Sequence, residues 1–296
     1  MPLNPTVHDR KTGVTPPGAA GGFELALLDR GAAVLQTSAP LRGFDVYVVG
    51  FHCVKGEPDV QMEAHHFCKV VNAEMLQCVL FDGNTADANL IGIEYIVSER
   101  LFDSLPEDEQ ASWHPHNHEV FSGELVAPGL PIAVETELMG HLVNSYGKTW
   151  HTWHSTPMGS QPAHDLPVGD PMLMWSFNRE GEVDSALQQD RNHAMRTDPE
   201  PRKQSRAKYL DRAHPQRGVG AMRDAFTGTS PTPGGVDADD GRPWRRTGGP
   251  WRCRHGPPVR CVLRFSARCA SRSAAGRSRA RSSRPRGTRA GRCRRC

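Results

Sequence analysis

Asp45-Val-Tyr-Val-Val-Gly-Phe-His-Cys-Val54 is the stretch that decides the fold class. It is dense in β-branched and aromatic residues and stops at the turn sequence Lys55-Gly-Glu-Pro58, so it reads as a strand. The same pattern recurs at short intervals. Glu63–Val71 and Met75–Phe81 are further strand candidates joined by Asn72-Ala-Glu74. After a turn at Asp82-Gly-Asn-Thr85, Leu90–Val97 (LIGIEYIV) is the most strand-like run of the chain. Connections this short make hairpins, whereas a parallel crossover needs about a dozen residues or more, so the sheet is expected to be antiparallel.

Helices are expected around these strands. Phe23–Gln36 reads as one, with Phe23, Leu27, Val34 and Leu35 tending to one side. It is expected to pack on the domain; a place on a lipid surface is the lesser reading, because its polar face lacks Lys and Arg. Ser104-Leu-Pro-Glu107 fits a capping box opening a short helix that ends near Trp113, since Pro115 disfavours helical geometry at His114. Val120–Val126 reads as a strand, and Glu135–Tyr146 as a helix with Gly147 in the left-handed position after it. Lys148–His154 alternates as a strand, 155–170 is a Pro/Gly loop, and Pro171–Phe177 is a last apolar segment. The fold class is therefore α+β: a mainly antiparallel sheet with a few packed helices over residues 22–177. Residues 1–21 read as disordered and 178–240 as a polar, loosely structured extension.

Charge divides the chain more sharply. Residues 241–296 hold 18 arginines, no lysine and no acid, while 1–240 hold 18 basic and 33 acidic residues. The formal net charge of +3 averages two unlike pieces. Dense arginine neutralises phosphates without a fold, so one reading of 241–296 is a disordered nucleic-acid-binding tail. Its aromatic interleaving is thin, and its residue types are those of GC-rich codons. The preferred reading is GC-rich DNA translated in a wrong frame or past a natural stop. Cys253, Cys261 and Cys269 and the lone Cys293-Arg-Arg-Cys296 lack the paired spacing of a zinc site. No apolar run approaches the ~20 residues of a membrane span, and Met1–Gly22 lacks the apolar core of a signal peptide. A soluble, cytoplasmic protein is expected, with Cys53, Cys68 and Cys78 as reduced, packed thiols.

Ten of the 14 histidines lie between His52 and His164, concentrated in Glu63-Ala-His-His-Phe-Cys68 and Trp113-His-Pro-His-Asn-His-Glu-Val120. Neutral imidazole is the commonest transition-metal ligand, so a divalent transition metal bound by a subset of His65, His66, His114, His116 and His151 is one expectation. Strand parity limits it. His65 and His66 point to opposite faces, as do His151 and His154, whereas His116 and His118 share one if they sit on a strand. Hydrogen-bonded histidines in a polar cluster are the competing reading. Glu94, inside an apolar strand, is either solvated or a buried acid needing a partner, for which His66 or Lys148 would serve. No GxSxG, Walker-type or dinucleotide glycine motif is present.

Glu63-Ala-His-His-Phe-Cys68, Gln77-Cys-Val-Leu-Phe-Asp82, Leu90-Ile-Gly-Ile-Glu-Tyr-Ile-Val-Ser98, the Leu101-Phe-Asp-Ser-Leu-Pro-Glu-Asp-Glu109 run, Trp113-His-Pro-His116 and Tyr146-Gly-Lys-Thr-Trp-His-Thr-Trp153 together resemble the oil body-associated protein family. The resemblance runs in order from about Gly22 to Phe177. It implies a peripheral structural or stability protein of lipid-storage bodies, without established catalysis, meeting the lipid-body surface or its proteins. The residue-level alternative is a metal-dependent enzyme built on the histidines. His65, His66, His114, His116 and His151 stand where the family's motifs have theirs. The arginine segment is foreign to the family. Residues 41–177 carry five basic and 19 acidic residues, which would repel anionic lipid, so association should rest on apolar contact or a partner protein.

Overall fold

A computed structural model of the chain describes residues 7–36 and 38–241. The arginine-rich segment beyond Gly241, with its cysteines, and residues 1–6 lie outside the described residues. After helix α1 (Phe23–Leu35), four strands form an antiparallel meander: β1 (Val46–Val54), β2 (Glu57–Asn72), β3 (Met75–Phe81) and β4 (Leu90–Val97). Short helices α2 (Glu99–Asp103) and α3 (Glu107–Gln110) lead to the two-residue strand β5 (His114–Pro115). Helices α4 (Asn117–Phe121) and α5 (Ile132–Gly140) then lead to β6 (Tyr146–His151) and β7 (Met172–Trp175).

The antiparallel sheet closes on itself. β7 pairs with β1 and β6, and β6 pairs with β4, so β1, β2, β3, β4, β6 and β7 make a six-stranded barrel. The second edge of β6 is divided: Tyr146 and Gly147 face β5, and Thr149–His151 face β7. Closure brings the β4 and β6 backbones together at Gly92, where a Cβ would lie 2.2 Å from the Trp150 carbonyl oxygen. Closing the sheet removes the open edges that β1–β4 alone would leave for other chains to pair with.

Strand parity fills the barrel. Val48, Met62, Ala64, Leu80, Ile96 and Met174 form its core with Val120, Phe121 and Leu125. Cys68 and Cys78 face each other directly across β2 and β3 and are joined by a disulfide, which corrects the expectation of reduced thiols there; Cys53 is free and buried.

The opposite face of β1 is covered as well, by residues that the polar composition suggested were loose. α6 (Ser185–Met195) is capped by Asp184, whose side chain accepts from the Ala186 and Leu187 amides. α7 (Pro199–Arg206) is capped by Asp198 with proline in its first turn. Phe51 and Cys53 pack with Trp175, Phe177, Val183 and Met222, and Val49 packs with Val126 and Met195. Two buried guanidiniums complete the cover: Arg191 donates to the Glu124 carbonyl at 2.8 Å, and Arg206 to the Val120 carbonyl at 2.7 Å. The polarity of 178–241 is thus partly internal. Residues 8–14, expected to be disordered, also hold to the barrel, through Arg10 on Glu63 and Thr12 and Gly13 on Asp82.

Several local expectations are corrected. α1 forms where expected, but none of its residues is buried. Ser104 donates to the Leu101 carbonyl instead of capping a helix; the capping serine is Ser98, which accepts from the Leu101 amide and opens α2. Residues 117–121 are helical, and of the expected 120–126 strand only Val126 pairs, as a bridge to Val49. α5 starts at Ile132 and ends at Gly140, and Gly147 lies inside β6.

Candidate functional site

Parity places His52 of β1, His66 of β2, Glu94 of β4 and His151 of β6 on the barrel's inner face, each 2% exposed or less. β5 and the residue that opens α4 deliver His114 and His116 to the same place, and Ser145 holds the His116 ring, Nδ1 to Oγ 2.9 Å. Five imidazoles thus surround one carboxylate. His66 Nε2 lies 3.0 Å from Glu94 Oε2, while His114 Nε2 and His116 Nε2 lie 3.3 and 3.5 Å from Oε1. His114 Nε2 and His116 Nε2 are 3.1 Å apart, and His52 Nδ1 is 3.3 Å from His151 Nε2.

Of the five histidines singled out by sequence, His66, His114, His116 and His151 meet here. His65 does not. It points to the other face of β2, where Nδ1 meets the Tyr47 hydroxyl at 2.7 Å and Nε2 the Glu63 carboxylate at 3.1 Å. His118 also diverges, since α4 is a helix and not a strand; it contacts Thr232 and, at 3.4 Å, Glu124. Sequence reasoning missed His52, whose membership needs the β1–β2 register, and undervalued Glu94, although His66 is indeed its partner.

Burial disfavours the charged form of three of these imidazoles. Burial pushes the His114 imidazole down to about 4 and His151 to about 3, with Glu94 partly opposing, and holds His52 well below its ordinary value. Burial also opposes the charge on Glu94, but the surrounding imidazoles of His114, His116 and His66 hold that carboxyl well below the usual range. Glu119, 4.0 Å from His116 Nε2, goes the other way: burial and the charges of Glu94 and Glu124 keep it protonated far above the usual range. Two groups of three have donor atoms all within 4.8 Å of one another, His52/His66/Glu94 and Glu94/His114/His116. Either offers two imidazoles and a carboxylate, a donor set suited to a divalent transition metal.

Residues 38–210 match the family model described as "Protein of unknown function (DUF1264)". Oil body-associated protein 1B of Arabidopsis thaliana is 36% identical over 206 residues, covering 69% of this chain and 83% of that protein. Oil body-associated protein 2B of the same plant is 40% identical over 164 residues, covering 55% of this chain and 64% of its own length. Oil body-associated protein 1A of Zea mays is 39% identical over 167 residues, 56% of this chain and 68% of that protein. No solved structure matches the chain. The family match extends past Phe177 through α7, in keeping with the packing of that helix against α4 and α5. This chain belongs to the DUF1264, or oil body-associated, family.

Proposed function

We propose that the chain is a peripheral protein of lipid bodies that contributes to their structure and stability, and that it holds to their surface through α1. The observation supporting this, beside the names of its relatives, is the condition of that helix. Phe23, Leu25, Leu27, Leu28, Val34 and Leu35 are 59–85% exposed, and no residue of α1 is buried. A helix apolar on most of its circumference is ordinarily covered by something. Glu24, Asp29 and Arg30 are its only charges, which favours a weakly charged lipid surface over an anionic one. Burying one such leucine or phenylalanine is worth about 1.5–3 kcal/mol, so four or five suffice for reversible attachment. Among the described residues no helix is long and apolar enough to cross a membrane, so attachment would be from one side.

Flotation of the full-length protein with triacylglycerol droplets coated in zwitterionic phospholipid tests this. The protein is expected in the floating layer, and Leu27→Glu/Leu28→Glu is expected to lower the bound fraction about tenfold or more, since two buried leucines are lost. A wild-type protein that stays in the aqueous layer, and diffuse in lipid-loaded cells, would sink the reading.

A further inference from the structure

Glu94 Oε1, His114 Nε2 and His116 Nε2 form a triangle with edges of 3.3, 3.5 and 3.1 Å. A tetrahedral ion with bonds near 2.1 Å sets its donor atoms about 3.4 Å apart, a value these edges bracket. The three atoms approach Gly147, the ladder partner of His114. A Cβ added there would lie 2.3 Å from Glu94 Oε1 and 2.6 Å from both His114 Nε2 and His116 Nε2. A side chain there would push all three donor atoms out of place, so their convergence requires glycine at this position.

Hydrogen-bond bookkeeping agrees with the geometry. Ser145 Oγ donates to the Leu142 carbonyl at 2.7 Å, so in its contact with His116 it must accept from Nδ1–H. That leaves the lone pair of neutral His116 on Nε2, facing Glu94 and His114. His66 Nε2 lies 3.0 Å from Glu94 Oε2, where its N–H would donate to the carboxylate and fix the second oxygen. The His116 lone pair and the Glu94 carboxylate therefore converge with His114 Nε2. An imidazole whose far nitrogen donates to a fixed acceptor, as His116 does to Ser145, presents its near nitrogen in a set orientation for a metal. Beside the triangle lies a cavity of about 20 Å³, bordered by His52, His66, Glu119 and Leu125. It has room for one water-sized ligand.

We propose that Glu94, His114 and His116 bind one divalent first-row transition-metal ion beside Gly147, with Ser145 and His66 as positioning residues and the small cavity supplying the remaining coordination position. Two nitrogens and one oxygen select this class of ion over calcium and magnesium, which take oxygen donors, and over copper(I), which takes sulfur. The site stands on its own geometry and does not depend on lipid attachment.

Co²⁺ titration tests the proposal on the full-length chain, purified without a polyhistidine tag and stripped with a chelator. Visible absorption reports ligand type, and elemental analysis after dialysis reports stoichiometry. One Co²⁺ per chain is expected, with the ligand-field bands of a nitrogen–oxygen site and displacement by Zn²⁺. Gly147→Ala keeps every ligand but its methyl group would force the three donor atoms out of place, and should weaken binding roughly 100-fold or more, while Ser145→Ala should weaken it about 10–100-fold. Zn²⁺ should raise the unfolding midpoint of the wild type and not that of Gly147→Ala, and circular dichroism of the metal-free proteins separates a lost ion from a lost fold. Unchanged affinity in both variants overturns the proposal, as does less than about a tenth of an ion per wild-type chain. Sulfur-to-cobalt charge-transfer bands would assign the ion to cysteines and overturn it equally.

Discussion

Asp82 shows how one carboxylate fixes a segment that composition would leave loose. It follows β3 and accepts from the Asn89 amide at 2.8 Å, from the Thr12 hydroxyl at 2.7 Å and from the Gly13 amide at 3.2 Å. Burial opposes its charge, but hydrogen bonds, those of Asn89 and Thr12 among them, outweigh it and hold the carboxyl below its ordinary value. The sign follows by linkage. The folded group binds its proton less readily than the unfolded one, so its contribution is complete above the unfolded value near 4 and is lost as pH falls toward the folded value. Residues 8–14 are therefore expected to detach in mild acid before the barrel unfolds. Hydrogen exchange at Gly13 and Asn89, corrected for intrinsic rates, should accelerate between pH 5 and pH 3. Asp82→Asn should reproduce the acid state at neutral pH, with exchange roughly 10- to 100-fold faster for the loss of about 2 kcal/mol. Protection that is flat across this range would refute the coupling.

The elements differ in how much of them local sequence dictates. β3 and β4 are bounded as expected, because their apolar runs end at strong turn signals on both sides. Barrel closure was not legible, since it depends on Gly92 and on a β4–β6 pairing across some 50 residues. The site was half legible. Parity separated His65 from His66, but the swing of β5 into α4, which parts His116 from His118, follows from tertiary contacts of Ser145 and Thr232. α6 and α7 were misjudged for a different reason: guanidiniums look like surface groups in a sequence even when they are buried. The anchor of α7 is Glu135 of α5, which accepts from Arg202 at 2.9 Å, from Arg206 at 3.1 Å and from the Ala127 amide at 2.7 Å. Glu135→Ala would strand two guanidiniums, Arg206 fully buried and Arg202 nearly so, and is expected to cost about 3–5 kcal/mol in urea unfolding. Glu137→Ala, two residues on, removes an exposed pair with Lys208 and should leave the midpoint where it is. Equal midpoints for the two variants would mean that α7 is not held as described.

At the scale of the whole molecule, the two charge domains make opposite demands on any surface the protein meets. Residues 1–240 carry a net charge of −15, and 241–296 carry 18 arginines without one acid. Attachment through α1 is an apolar contact, so for a chain ending at Gly241 its strength should be set by lipid packing, with charge acting only as a penalty. Adding anionic phospholipid to the droplet coat should weaken binding of that chain at low salt, and raising the salt should restore it, because the repulsion is screened within about 10 Å at 0.1 M. The complete chain should behave in the reverse way. Basic residues near an anionic surface contribute on the order of 1 kcal/mol each at low ionic strength, so a fraction of the 18 arginines would overcome the repulsion of the body. The same chain should then bind nucleic acid with a steep loss of affinity as salt rises, and the shorter one should not bind it. Measuring both chains on neutral and on anionic droplets, at two salt concentrations, separates the contributions. If the shorter chain gains affinity from anionic lipid, the described residues present a basic face that their composition denies, and attachment through α1 alone is the wrong account.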